Sequence, residues 1–353
     1  MGSLATFFYS FLTVALVFYT LSVGKDLFIP IFIAIVIWFL LASLAGAIQK
    51  VRFYHYKINY PLAITLALFM GGYGLWLTYL LMVENISQVI EAGPFYQERF
   101  NHLHEALMTK LNIQKPPALS DLIGSFSVVD IASGVAQMLT TFASNLGVIF
   151  LYVIFMLMET GSFDEKLKAL IPNKEKRQDV QKLVARITKQ IQSYIWIKTI
   201  VSIATALISY FVLWAVGVDF AAFWAFIIFI LNYIPTIGAI IATILPCMLT
   251  LVQFESLTPF LIVTCTLISI HFIIGNIIEP KLIGRSINLS GLVILFSLAV
   301  WGHIWGMVGL FLSIPITVIT SLILANFPKT RFLSILLSEN GEIYEEENNH
   351  LSL

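Results

Sequence analysis

Apolar residues in this chain come in long runs set apart by short charged stretches. From Phe220 to Phe254 there are 35 residues without Asp, Glu, Lys or Arg, and from Ser286 to Phe327 there are 42, each run interrupted near its middle by Pro or Gly. A helix rises about 1.5 Å per residue and bilayer hydrocarbon is about 30 Å thick, so either run as one straight helix overshoots by roughly 20 Å or more. Each run must turn back or break within the membrane, where irregular backbone is tolerated only if protein buries it or it lines a watery cavity. Six further runs, Leu4 to Val23, Leu27 to Ile48, Tyr60 to Val83, Gly134 to Met158, Gln192 to Val218 and Leu257 to Ile278, read as ordinary spanning helices. The pattern predicts an all-α polytopic membrane protein with six spanning helices plus two broken or re-entrant helical segments, and an inverted repeat in its C-terminal half.

Two amphipathic stretches punctuate the apolar runs. Phe100, Leu103, Leu107 and Leu111 recur at helical spacing opposite Gln97, Glu98, Glu105 and Lys110, which predicts a separate helix with Pro94 in its first turn, lying on the outer leaflet or against a neighbouring subunit. Val180, Leu183, Val184, Ile187 and Ile191 form a second stripe that leads into a spanning helix. From Ser338 the tail carries Glu339, Glu342, Glu345, Glu346 and Glu347 without a base and is expected to be solvated. The segments that follow are N-terminal scaffold helices (1–83), an extracytoplasmic loop (84–133), one spanning helix (134–158), a basic cytoplasmic loop (159–191), a transport core (192–327) and a cytoplasmic acidic tail (328–353).

Composition agrees, with 59% apolar and 11% charged residues and a mean hydropathy of +0.90. Net charge is zero, and no contiguous basic face points to nucleic acid. The position of the bases is more informative. Gln49 to Asn59 holds Lys50, Arg52 and Lys57, and Glu159 to Gln190 holds eight Lys and Arg, against three in the longer Glu84 to Ser133. By the positive-inside rule the first two lie in the cytoplasm and the third outside, which places both termini inside. If 220–254 and 286–327 are hairpins from opposite faces, Lys281, Arg285, Lys329 and Arg331 also fall inside. If they are bent spans, Lys281 and Arg285 are stranded outside. Cys247 and Cys265 sit in apolar runs and read as small buried hydrophobes. Leu4 to Val23 has no preceding base and no small-residue cleavage site, so it reads as a retained helix.

Candidate chemistry gathers at the broken runs. In Asn232-Tyr233-Ile234-Pro235-Thr236-Ile237-Gly238, Pro235 removes a backbone donor and Gly238 permits positive φ, while Asn232 and Thr236 can satisfy freed backbone groups or hold a polar solute. Gly302 and Gly306 are spaced for close helix approach or for a turn, with Gly309 following, and His303 between them has no evident partner. A Gly followed by Pro recurs as Gly238 with Pro246 and as Gly306 with Pro315. Between the runs, Asn276 precedes Glu279, whose carboxylate closes an apolar helix at Pro280 and can exchange protons or pair with Lys281 or Arg285. Lys198, near the start of an apolar run, reads as a snorkelling residue outside the site. Two opposed broken runs favour a secondary transporter. A channel needs a continuous polar pore face, and an intramembrane hydrolase needs a motif such as HExxH or GxSxG, which is absent. No metal and no cofactor are expected.

The NYIPTIG stretch from Asn232, the NIIEPKLIG stretch from Asn276 and the Gly-rich run ending in Ser313-Ile314-Pro315 resemble, in order and spacing, the AI-2E family of bacterial transporters. The departure is at Leu289-Ser290-Gly291, where many relatives carry proline. The resemblance implies a multi-pass protein of the bacterial inner membrane that exports small polar molecules, with autoinducer-2 as the named case, or a sodium/proton antiporter. It also implies a homo-oligomer, a pentamer, moving in an elevator-like manner. Read from their residues, these stretches put the substrate at Asn232, Pro235, Thr236, Gly238, Asn276 and Glu279, with Pro246, Pro280, Gly302, Gly306, Gly309 and Pro315 as hinge or packing positions.

Overall fold

The computed structural model describes residues 3–50, 58–111, 128–159, 162–254, 256–283 and 288–341. Among them there are helices and no strands: α1 (Ser3–Val23), α2 (Lys25–Lys50), α3 (Tyr60–Leu111), α4 (Val128–Glu159), α5 (Phe163–Leu170), α6 (Lys174–Val216), α7 (Ala221–Leu231), α8 (Ile237–Phe254), α9 (Leu257–Ile273), a π-helical turn (Ile274–Ile278), α10 (Glu279–Ile283), α11 (Gly291–Asn326) and α12 (Arg331–Leu337). Seven helices among the described residues are long and apolar enough to cross a membrane, and the protein is an all-α polytopic membrane protein. The chain divides into two compact units, one of residues 1–47, 147–196 and 283–353, the other of residues 48–146 and 197–282.

In the second of these units the run 220–254 is a hairpin. Its outgoing limb is α7 and its returning limb α8, and Gln253 at the end of α8 comes back to the start of α7. Gln253 Nε2 donates to the Gly217 carbonyl at 2.8 Å, and its Oε1 accepts from the Asp219 N–H at 2.9 Å. The limbs touch closely at the tip, where a Cβ on Gly238 would sit 1.8 Å from the Leu231 carbonyl oxygen. Gly238 therefore serves close approach. The expectation that it supplies positive φ is corrected: Thr236 takes that conformation, with φ 58°, an unusual one for a β-branched residue. Packing overrides propensity here, because the turn has to present a small residue, not a flexible one, to the Leu231 carbonyl.

The long α3 also departs from the pattern. Pro94 lies inside it, so no separate helix begins there. A proline in a helix removes one backbone bond. Beyond it the helix is held by its contacts with the hairpin base, as Tyr96 and Phe100 are buried, the Tyr96 hydroxyl donates to the Asp219 carboxylate, and Arg99 Nη1 donates to the Gln253 carbonyl at 2.7 Å. Phe100, the first residue of the expected apolar stripe, is thus buried within this unit. The side chains of Leu103, Glu105, Leu107, Lys110 and Leu111 lie outside the described residues. So do Arg285 and the glutamates from Glu342 onward.

In the first unit α11 also folds back on itself. Ser297 Oγ donates to the Ser313 carbonyl at 3.1 Å and lies 2.5 Å from Thr317 Oγ1, whereas a straight helix would separate 297 from 313 by about 24 Å. The fold is at Gly306, with φ 60° and ψ −137°, a conformation that only glycine adopts without strain. Gly302 and Gly309 serve packing: a Cβ on Gly309 would sit 1.8 Å from the Trp301 carbonyl oxygen, and one on Gly302 2.7 Å from Leu310 Cδ2. Ser290 caps α11 by accepting from the Val293 N–H at 3.3 Å. Around this hairpin lies a core that includes Val36, Phe39, Ile191, Tyr194, Trp305, Leu312 and Ile314.

Candidate functional site

Within the second unit a cleft of about 510 Å³ opens at the tip of the first hairpin. Asn232, Pro235, Thr236, Asn276 and Glu279, five of the six residues expected at a solute site, line it, and Gly238 stands behind them as a packing residue. The lining also includes the aliphatic and aromatic side chains of Ile240, Ile244, Ile268 and Phe272. A polar solute with an apolar side fits such a lining.

The hairpin tip is tied to α6. Asn232 is buried and its Nδ2 donates to Ser202 Oγ at 3.0 Å, while the Tyr233 hydroxyl donates to Thr199 Oγ1 at 2.8 Å. With its nitrogen engaged, Asn232 leaves its amide oxygen as the acceptor for a solute. Thr236 is exposed to the cleft, and its strained backbone marks the tip as a place where structure is held against local preference.

The far side of the cleft is built by the end of α9. The helix widens into the π-helical turn at Ile274–Ile278 just before Glu279, and such turns gather at functional sites. Pro280 follows and has no N–H, so a carbonyl one turn back, at Gly275 or Asn276, loses its helical donor. Asn276 Nδ2 donates to the Phe272 carbonyl at 3.2 Å, which again leaves an amide oxygen as acceptor.

Two residues of this site escape sequence reasoning. Lys198 does not snorkel: it is 3% exposed and its ammonium is bonded to the Glu279 carboxylate. Its place at the margin of an apolar run hides this, because α6 begins at Lys174 and Lys198 lies about 36 Å along it. The partner of Glu279 is thus Lys198. His271 is the second. It is 9% exposed, lines the cleft, and its buried Nε2 has no partner. An orphaned polar atom in such a place costs about 1–3 kcal/mol unless a ligand or water meets it. Among the described residues no group of His, Cys, Asp and Glu is arranged to hold a metal ion.

The other candidates lie elsewhere. Pro246 is buried within α8 and Pro315 within α11. His303 is exposed, in the other unit. Cys247 is buried as expected, but Cys265 is exposed on α9, on a helix surface that lipid covers if α9 spans.

A multi-pass helical protein whose broken helix lines a polar cleft has the architecture of a membrane transport protein. The chain belongs to the AI-2E family transporter family, whose sequence model matches residues 7–329. It is 31% identical to the AI-2 transport protein TqsA of Escherichia coli over 63% of each chain. It is 30% identical to a Haemophilus influenzae protein over 90% of this chain and 92% of that one, and 27% identical to a Borreliella burgdorferi protein over 94% and 90%; both are named only as candidate transport proteins.

Proposed function

We propose that this protein is a secondary transporter of the bacterial cytoplasmic membrane that exports a small polar solute by alternating access, with the 232–279 cleft as its solute site. The observation that carries the reading is the convergence of Asn232, Thr236, His271, Asn276 and Glu279 on one cleft at a strained helix break. The name of the TqsA relative makes autoinducer-2 the first solute to test. Each hairpin enters and leaves the membrane on one face, the first from outside and the second from inside, with both termini cytoplasmic. Exchange of the two conformations of such opposed repeats converts an inward-open into an outward-open site, in an elevator-like movement. The protein acts as a homo-oligomer surrounded by lipid, pentameric by family resemblance.

The rival within the family is sodium/proton antiport. A sodium site built on Glu279 would need that carboxylate free of other cations, and here the ammonium of Lys198 holds it, which favours an uncharged solute. Efflux from everted vesicles, with autoinducer-2 and sodium as alternative solutes across pH 5.5 to 8.5, tests this. Asn232→Leu and Thr236→Val are expected to lower autoinducer-2 efflux severalfold at unchanged expression, and Glu279→Gln, which leaves the buried ammonium of Lys198 without its carboxylate, to lower it as well. If all three variants behave as the parent with either solute, the site is wrongly placed.

A further inference from the structure

The Lys198–Glu279 pair is more than a neutralised charge. Glu279 lines the same cleft as groups that accept hydrogen bonds or coordinate cations, Asn276, Asn232 and the backbone near Gly275 or Asn276, where Pro280 leaves a carbonyl without a donor. Nothing lies within 4 Å of a Cβ built on Gly275, so the backbone there is open to the cleft. A carboxylate in a cleft that also holds such oxygens suits an ammonium or an alkali cation, and what pairs with it is the ammonium of Lys198 on the protein's own α6.

We propose that Lys198 is a tethered cation that fills the Glu279 position and excludes free monovalent cations and alkylammonium ions from the cleft, making it a specificity determinant for uncharged solutes. This rests on the cleft being the solute site, and adds what the cleft rejects and by which residue. The logic is electrostatic. A free cation has to displace an ammonium that is almost completely buried and, among the described residues, has no second carboxylate lining the cleft to move to, so displacement strands a desolvated charge. A neutral solute bonds beside the pair and leaves it intact. Removing the Lys198 side chain leaves a cavity lined by its former contacts and a carboxylate without a counter-ion, which is a site for an added cation.

The test uses the full-length protein in lipid nanodiscs and reads thermal unfolding against sodium chloride, n-butylammonium chloride and, as a cation whose methyl groups keep its charge from direct contact with oxygen, tetramethylammonium chloride. The parent is expected to show the same melting temperature in all three salts. Lys198→Ala is expected to gain a saturable rise of about 3 °C or more with n-butylammonium or sodium and none with tetramethylammonium. Lys198→Ala/Glu279→Gln is expected to lose that response. A parent that responds to sodium as strongly as Lys198→Ala, or a folded Lys198→Ala that responds to neither cation, overturns the proposal. If Lys198→Ala folds only when n-butylammonium is present, the result supports it in stronger form; if it fails with and without the added cation while the double variant folds, the proposal is overturned. A wrong solute site shows separately, as unchanged efflux in the Asn232 and Thr236 variants.

Discussion

At the tip of the first hairpin Thr236 takes a φ of 58°, and at the tip of the second Gly306 takes 60°. Shortly after each stands a glycine whose Cβ would lie 1.8 Å from a carbonyl oxygen of the other limb and 3.1 Å from the Cβ four residues back, that is, Gly238 against Leu231 and Ile234, and Gly309 against Trp301 and Trp305. The turn is the same device twice. What surrounds it differs. The first tip carries Asn232, Tyr233 and Pro235 and faces a cleft with an ion pair and an unpartnered histidine. The second is closed by aromatic rings, with Trp301 and Trp305 at 5.0 Å between centroids and Phe32 at 5.1 Å from Trp305, and the Trp305 indole donates to the Leu21 carbonyl at 2.9 Å. Its buried hydroxyls, Ser297, Ser313 and Thr317, bond to each other and to backbone. One hairpin keeps polar groups available and the other has consumed them, so the same turn serves two different surroundings.

The largest effect expected from breaking this comparison is at the shared glycines. Gly238→Ala and Gly309→Ala each push a methyl into a backbone carbonyl that has no rotamer to escape by, and each is expected to cost about 3 kcal/mol or more, read as a fall in melting temperature or loss of folded protein in detergent. A large loss for one and none for the other would show that the two turns are not the same device.

A smaller effect separates the two positive-φ residues. Gly306→Ala meets no atom within 4 Å, so its cost is conformational only, about 1–3 kcal/mol. Thr236→Gly is expected to go the other way, leaving stability unchanged or raising it, with reduced transport from a loosened tip. Thermal unfolding of both variants beside the parent measures the contrast.

The smallest effects are on affinity. Asn232→Leu and Thr236→Val each remove a hydrogen bond of about 0.5–1.5 kcal/mol, or roughly two- to twelvefold in affinity, whereas His303→Ala in the second hairpin is expected to change solute efflux by less than about twofold.

The hairpins were legible because uncharged runs of 35 and 42 residues cannot be single spans, and the polar tip was legible because Asn and Thr beside Pro in an apolar run need a reason to be there. Lys198 and His271 were not. The partner of Lys198 lies 81 residues away, and hydropathy assigns any lone lysine at the margin of an apolar run to the interface. Nor does local sequence show the π-helical turn that precedes Glu279, since Ile274 to Ile278 has no composition that separates it from α-helix. The exchange of roles between Thr236 and Gly238 has the same cause: glycine marks the place of the turn, but packing across the hairpin decides which residue bears the strain.

The central claim, that the cleft at the first hairpin tip is the place where solute crosses, is tested most directly by Thr236→Cys in a Cys247→Ser/Cys265→Ser background, labelled with a membrane-impermeant thiol reagent from each side of sealed vesicles. The account predicts labelling from both sides, because the site opens to each in turn, and protection from both by the transported solute. Labelling from one side only, with no protection by autoinducer-2 or any other exported solute, would contradict it.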